Sequence, residues 1–120
     1  MNQVILTNVV NSFIVKNRNT MLYITQLIYV RKGQESKLHE FEAQAIPLLK
    51  KYGGKIVQRI RPTQESFIDG EALKPYEVHI VSFESEQNLK EFSQDPKRKE
   101  FVHLKEESVS EILMFMGQRA

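Results

Sequence analysis

The order in which apolar residues change their spacing constrains this chain more than any other feature. Apolar residues repeat every two positions in a strand and about every 3.6 in a helix, so a change of period marks a new element. Segments rich in β-branched and aromatic residues predict strands at 22–30, 55–61, 76–83 and 109–116. Residues 35–52 place apolar side chains three and four positions apart, which predicts a helix.

Prolines and helix-capping residues indicate where the remaining helices begin, end or bend. Pro47 lies inside the predicted first helix and should bend or locally open it, because proline donates no backbone hydrogen bond. Ser85 begins a short helix, and Asp95-Pro96 begins another that ends near Glu107. The predicted order is β-α-β-β-α-β, an α+β unit with a four-stranded antiparallel sheet and helices on one face.

Composition excludes several functions. The chain has 120 residues, which predicts one main domain, and its net charge of +2 is too small for a nucleic-acid-binding surface. The absence of cysteine excludes thiol catalysis and disulfides and favours a reducing, cytoplasmic compartment. No nucleotide-binding loop and no metal-binding spacing occurs, so we expect neither a cofactor nor a metal.

The first 20 residues differ from the rest of the chain. They contain Lys16 and Arg18 but no acidic residue, and their apolar runs are too short to span a bilayer. Met21 stands directly before the first predicted strand. We therefore expect residues 1–20 to be an extension, Met21 to be a plausible native start, and 21–118 to be the folded domain.

The predicted sheet has a second face that the helices leave uncovered. The even positions of the first three strands are the more apolar, and we expect them to lie beneath the helices. The odd positions mix polar groups with Leu27, Val81 and Phe83, and so large an apolar patch is typical of an interface. We therefore expect a homodimer in which two sheets pack face to face, with the polar groups lining a cavity between them.

Several segments in succession carry a family resemblance: YITQLIYVRKGQE, FEAQAIPLLKKYGGK, the Asp69-Gly70 turn, PYEVHIVSF and DPKRKEFVHLKEES. In this order they resemble domain-of-unknown-function family 1330, over about residues 21–118. The resemblance implies a ferredoxin-like subunit, a homodimer of the dimeric α+β barrel superfamily, and no settled activity. Many relatives have a tyrosine and an arginine in the late helix, where this chain has Arg98 and Lys105.

The odd-position set supplies the main candidate site: Tyr23, Thr25, Tyr29, Arg59, Arg61, Glu77 and His79. Glu77 and His79 could act as a catalytic acid–base pair, since a histidine beside a carboxylate titrates near neutrality. Arg59 and Arg61 could clamp a carboxylate or phosphate, with the tyrosines and Thr25 lining the ligand site. The alternative is a satisfied polar network that only supports dimerisation.

Two classes of function follow from these residues. In the first, the protein binds or transforms a small organic anion in the barrel cavity without a cofactor. In the second, it is a non-catalytic dimeric module. A weaker candidate is haem binding through His103 on the late helix, by analogy with some haem-binding members of the same superfamily.

Overall fold

The computed structural model describes residues 21–119 of the chain. The strands are β1 (Leu22–Val30), β2 (Gly54–Ile60), β3 (Glu77–Phe83) and β4 (Val109–Gly117). The α-helices are α1 (Glu35–Ala45), α2 (Glu86–Ser93) and α3 (Pro96–Ser108), and 3₁₀ segments occupy Ile46–Tyr52 and Gln64–Ser66. The predicted extension, residues 1–20, lies outside the described residues. Among the residues 21–119, no helix is long and apolar enough to cross a membrane.

The four strands form one antiparallel sheet in the order β2-β3-β1-β4. Two strands that are distant in sequence, β1 and β3, therefore occupy the centre. The helices cover one face of the sheet. This confirms the predicted β-α-β-β-α-β order, and the strand boundaries differ from the predicted ones by at most one residue.

The first helical region differs from the single helix predicted over 35–52. The α-helix ends at Ala45, and residues Ile46–Tyr52 continue as a 3₁₀ helix with Pro47 in its first turn. The tighter winding suits proline there, because the missing N–H falls where a new helical segment leaves its first donors unpaired. Gly53 ends the segment in the left-handed conformation, with φ of 67°.

The core consists of two apolar clusters on the helical side of the sheet. In the first, Ile24, Val81 and Phe83 of the sheet pack against Leu49 of the 3₁₀ segment. In the second, Phe41 of α1 meets Phe101 of α3 edge to face, with ring centroids 5.8 Å apart. The two longest helices are thus fixed against each other and over the sheet.

A buried aspartate joins the 3₁₀ segment to α3. Asp95 is 2% exposed and caps α3 by accepting a hydrogen bond from the backbone N–H of Arg98 at 3.0 Å. The Tyr52 hydroxyl donates to the same carboxylate. That hydrogen bond and the one from the Arg98 backbone N–H lower the pKa of Asp95 to about 2.

The strand register corrects the predicted faces of the sheet. Ile24 of β1 pairs with Val81 of β3, so the even positions of β1 share a face with the odd positions of β3. The odd positions of β3 therefore lie beneath the helices, contrary to the prediction. In β2 the register shifts at Val57, so that Ile56 and Arg59 both lie on the helical side, paired with Val81 and His79.

Candidate functional site

A cavity of about 120 Å³ lies between the helices and the helical face of the sheet. Its lining is mostly apolar side chains of the sheet, α1, α2 and the 3₁₀ segment. The polar and charged residues in the lining are Gln26, Glu42, His79, Arg98 and Lys105. One buried water needs about 10–15 Å³, so the cavity has room for a molecule of several non-hydrogen atoms.

A network of charged side chains reaches this cavity through Glu42 and His79. His79 Nε2 lies 2.8 Å from Glu77 Oε1 and 3.2 Å from Glu42 Oε2. Arg59 donates to Glu42 Oε1 at 2.8 Å, and Arg61 Nε donates to Glu77 Oε2 at 2.9 Å. The two carboxylates and the imidazole are buried, whereas both guanidinium groups lie partly in solvent.

The network favours the charged forms of Glu77 and His79. Burial opposes ionisation of Glu77, but hydrogen bonds from His79 and Arg61 outweigh it and hold the Glu77 pKa well below its ordinary value. Burial would also lower the pKa of His79, yet its contacts with Glu42 and Glu77 raise it. A histidine between two carboxylates therefore keeps its proton to a higher pH than a solvated one.

Two cations of α3 line the same cavity and have no ion-pair partner among the described residues. Arg98 lies over the rings of Phe41 and Phe92, with centroids 5.8 and 5.4 Å from its guanidinium carbon. Its Nε is buried without a hydrogen-bond acceptor. Burial, and then the charge of Arg98, lower the pKa of Lys105. The cavity is therefore lined by two partly buried cations that form no ion pair within residues 21–119.

The structure divides the predicted site residues between the two faces of the sheet. Arg59, Arg61, Glu77 and His79 meet on the helical side. The two predicted clamp residues, Arg59 and Arg61, are bonded to carboxylates rather than open to a ligand. The predicted acid–base pair is in contact, and its catalytic role stays a prediction.

The other predicted ligand residues lie elsewhere. Tyr23, Thr25 and Tyr29 alternate with the helix-facing residues of β1 and so lie on the opposite face. The Tyr23 hydroxyl there accepts a hydrogen bond from Arg119 Nε at 2.9 Å. His103, the haem candidate, is exposed and is not part of the cavity lining.

Glu42 is the site residue that the sequence reasoning missed, although the sequence carried a signal for it. Leu38, Glu42, Ala45 and Leu49 fall on one stripe of the first helical region, so an acidic residue interrupts an apolar face. Arg98 and Lys105 carry a similar signal, because residues seven apart lie on one helix face two turns from each other.

The fold recurs in solved structures. No protein-family model and no curated protein sequence matches the chain. The crystal structure of a protein of unknown function from Rhodopseudomonas palustris is 16% identical, with a TM-score of 0.76, and the match covers 92% of each chain. A nipsnap family protein with unknown function from Agrobacterium tumefaciens is 16% identical, with coverage of 85% of this chain and 90% of that one and a TM-score of 0.61.

A third similar structure belongs to a protein with a ferredoxin-like fold. A dimeric protein of unknown function and ferredoxin-like fold from Bacteroides fragilis is 13% identical, with a TM-score of 0.61, and the match covers 82% of this chain and 96% of that one. Identities this low establish the fold alone. Together with the antiparallel sheet and its order, the comparison shows that this chain has a ferredoxin-like α+β fold.

Proposed function

We propose that this protein binds a small organic anion in the cavity between its helices and its sheet. The observation that carries the proposal is the pair Arg98 and Lys105, which line that cavity and form no ion pair within the described part of the chain. A partly buried cation without an ion-pair partner is unfavourable, so an anionic ligand is the simplest group to offset it.

The remaining lining indicates the shape of the ligand. Apolar side chains from both core clusters surround the two cations, among them Phe41, Leu49 and Phe92. Small-molecule sites commonly combine an apolar wall with a few charged groups that fix orientation. We infer a ligand with one anionic group and an apolar body, such as a short aliphatic or aromatic carboxylate.

The test compares a carboxylate with its neutral amide. Binding of benzoate and hexanoate, and of benzamide and hexanamide, is measured by isothermal titration calorimetry with EDTA present. We expect the carboxylates to bind and Arg98→Leu or Lys105→Met to weaken them about tenfold or more, the range of a charge-assisted contact of roughly 1.5–3 kcal/mol. Lys99→Met is the matched control, because Lys99 is exposed on the same helix.

Equal binding of acids and amides would contradict the proposal, because the cations would then contribute nothing to recognition. So would carboxylate binding that survives both cavity substitutions and falls only in Lys99→Met.

We further propose that the protein is a homodimer of the dimeric α+β barrel type, related to domain-of-unknown-function family 1330. Support comes from the face of the sheet opposite the helices, where Ile60, Leu113 and Phe115 are 45%, 40% and 58% exposed. A solved protein with the same fold is dimeric, which supports a second copy of this chain as the partner that covers the exposed face. The lack of cysteine supports a cytoplasmic location.

Light scattering after size-exclusion chromatography tests the dimer. We expect the wild type to elute as a dimer and Phe115→Lys to elute as a monomer, because a buried, unpaired charge opposes association. Lys90→Glu, an exposed substitution on α2, should leave the dimer intact. A monomeric wild type at micromolar concentration would refute the proposal.

A further inference from the structure

We propose that Glu42, Glu77 and His79 bind a divalent transition-metal ion at the wall of the cavity. Sequence analysis predicted no metal site, because the three residues have no recognised metal-binding spacing. They meet only through the fold: Glu42 lies on α1, whereas Glu77 and His79 lie two residues apart on β3.

The separations of the donor atoms suit a metal ion. One ligand atom from each residue can be chosen so that all three lie within 4.8 Å of one another. His79 Nε2 is 2.8 Å from Glu77 Oε1 and 3.2 Å from Glu42 Oε2. Bonds of about 2.1 Å to a metal place neighbouring ligands roughly 3.0–3.4 Å apart in octahedral or tetrahedral geometry. Small side-chain adjustments would therefore suffice.

A second observation points to a missing partner at this position. Glu42 Oε2 is buried, with the Glu42 side chain 4% exposed, and it accepts no well-aligned hydrogen bond, although His79 Nε2 lies 3.2 Å away. A buried carboxylate oxygen whose hydrogen bonding is incomplete is costly. A metal ion between Glu42 and His79 would satisfy that oxygen directly.

The arginines of the network fit the role of supporting residues. Arg59 bonds to Glu42 Oε1 and Arg61 to Glu77 Oε2, which are the oxygens that face away from His79. Ligating carboxylates in metal sites are commonly held by such outer hydrogen bonds. The arginine side chains are 40% and 49% exposed, so water screens their charge more than that of the buried carboxylates.

The ligand set also restricts the metal. One imidazole with two carboxylates suits Zn²⁺, Mn²⁺ or Fe²⁺ better than Mg²⁺ or Ca²⁺, which prefer oxygen ligands. Glu42 and His79 line the cavity, so a further coordination position would face it. Such a position could take water or the carboxylate of an organic ligand. This last step alone depends on the proposed function.

The test measures Zn²⁺ and Mn²⁺ binding to tag-free protein that has been treated with EDTA and desalted, with no organic anion present. Isothermal titration calorimetry should give one ion per wild-type chain. Glu42→Gln keeps the shape of the side chain and should weaken Zn²⁺ binding about tenfold or more, as loss of ligand-shell groups commonly does. Glu40→Gln, an exposed change on the same helix, is the matched control and should have no effect.

A second measurement needs no variant. Zinc-edge X-ray absorption of the loaded wild type should show one imidazole nitrogen together with carboxylate oxygens. Failure of the wild type to bind either metal would overturn the inference and leave a network bridged by the imidazole proton. Binding that survives Glu42→Gln and His79→Asn but disappears in His103→Gln would also overturn it, because the ion would then sit on a surface histidine. Anion binding is measured with EDTA present, so either proposal can fail without the other.

Discussion

Replacing Lys105 by methionine should stabilise the ligand-free protein while removing its affinity for anions. Lys105 lines an apolar cavity without an acidic partner in the described chain, and burial followed by the charge of Arg98 lowers its pKa. Methionine fills similar space without a charge. If Lys105 instead stabilised the fold, its replacement would lower the free energy of unfolding. The sign of the change in that free energy therefore separates a functional lysine from a structural one.

The size of the stabilisation expected for Lys105→Met follows from the partly buried charge that the substitution removes. One pKa unit between the folded and unfolded states corresponds to about 1.4 kcal/mol. Single substitutions that relieve a local strain of this kind commonly add about 0.5–2 kcal/mol to the free energy of unfolding. For a domain of this size, 1 kcal/mol raises the melting temperature by roughly 4 °C. We therefore expect Lys105→Met to melt several degrees above the wild type.

The pH dependence of the same variant provides an independent check. The pKa of Lys105 in the folded protein lies below its ordinary value of 10.5. The destabilisation is therefore complete at pH values below the folded pKa, where Lys105 is charged in both states. As the pH rises through the interval up to 10.5, the folded protein releases the proton first. The wild type should gain stability over that interval, and its difference from Lys105→Met should narrow.

Urea unfolding at several pH values, followed by circular dichroism, measures both effects. Lys99→Met is the control, and an exposed substitution of this kind should change stability by no more than about 0.5 kcal/mol. A decrease of about 1 kcal/mol or more in the free energy of unfolding of Lys105→Met, with the control unchanged, would contradict this prediction. Lys105 would then have a stabilising partner, and the argument for an anion site would lose one of its two cations.

Two further predictions concern the packing around the site. An added Cβ at Gly54 would lie 2.7 Å from Phe83 Cε1, so Gly54→Ala should lower the free energy of unfolding in urea by about 1–3 kcal/mol. An added Cβ at Gly117 meets nothing within 4 Å, so Gly117→Ala is the control and should not change stability. Equal effects of the two substitutions would contradict this prediction. The hydrogen bond from Tyr52 is the largest cause of the decrease in the Asp95 pKa from 3.8 to about 2. The stability that ionised Asp95 contributes is therefore present above pH 3.8 and is lost as the pH falls toward 2. Asp95→Asn should therefore melt with a weaker acid dependence than the wild type, and an unchanged pH profile would show that Asp95 contributes nothing.

The elements could be predicted from sequence because their signals are local. Each element is marked by residues within a short stretch of sequence. These signals are the strand periodicity, the helix start at Asp95-Pro96 and the glycine that ends the first helical region. The change from α-helix to 3₁₀ helix at Ile46 could be anticipated only as a disturbance at Pro47. Its final form depends on how Leu49 packs against the sheet, which is tertiary information.

The faces of the sheet could not be predicted from sequence, because they depend on register and on one bulge. Apolar content suggested that Val78 and Ile80 lie beneath the helices, whereas Glu77 and His79 do so and are 1% and 6% exposed. Pairing with β1 decides this, and alternation within β3 contains no information about that pairing. The register shift at Val57 then moves Arg59 to the same side.

The same dependence on the folded chain explains why sequence reasoning could not identify every ion-pair partner of the predicted anion clamp, Arg59 and Arg61. The sequence allowed either a clamp or a satisfied polar network, because the partners Glu42 and Glu77 come from α1 and β3 and meet Arg59 and Arg61 only in the folded chain. A cation with a buried carboxylate partner has its charge satisfied, and a ligand would have to compete with that partner. Arg98 and Lys105 form no ion pair in residues 21–119, so an incoming anion would not have to displace a bonded carboxylate from them. Substitution of Arg59 or Arg61 should therefore change stability first, whereas substitution of Arg98 or Lys105 should change anion affinity first.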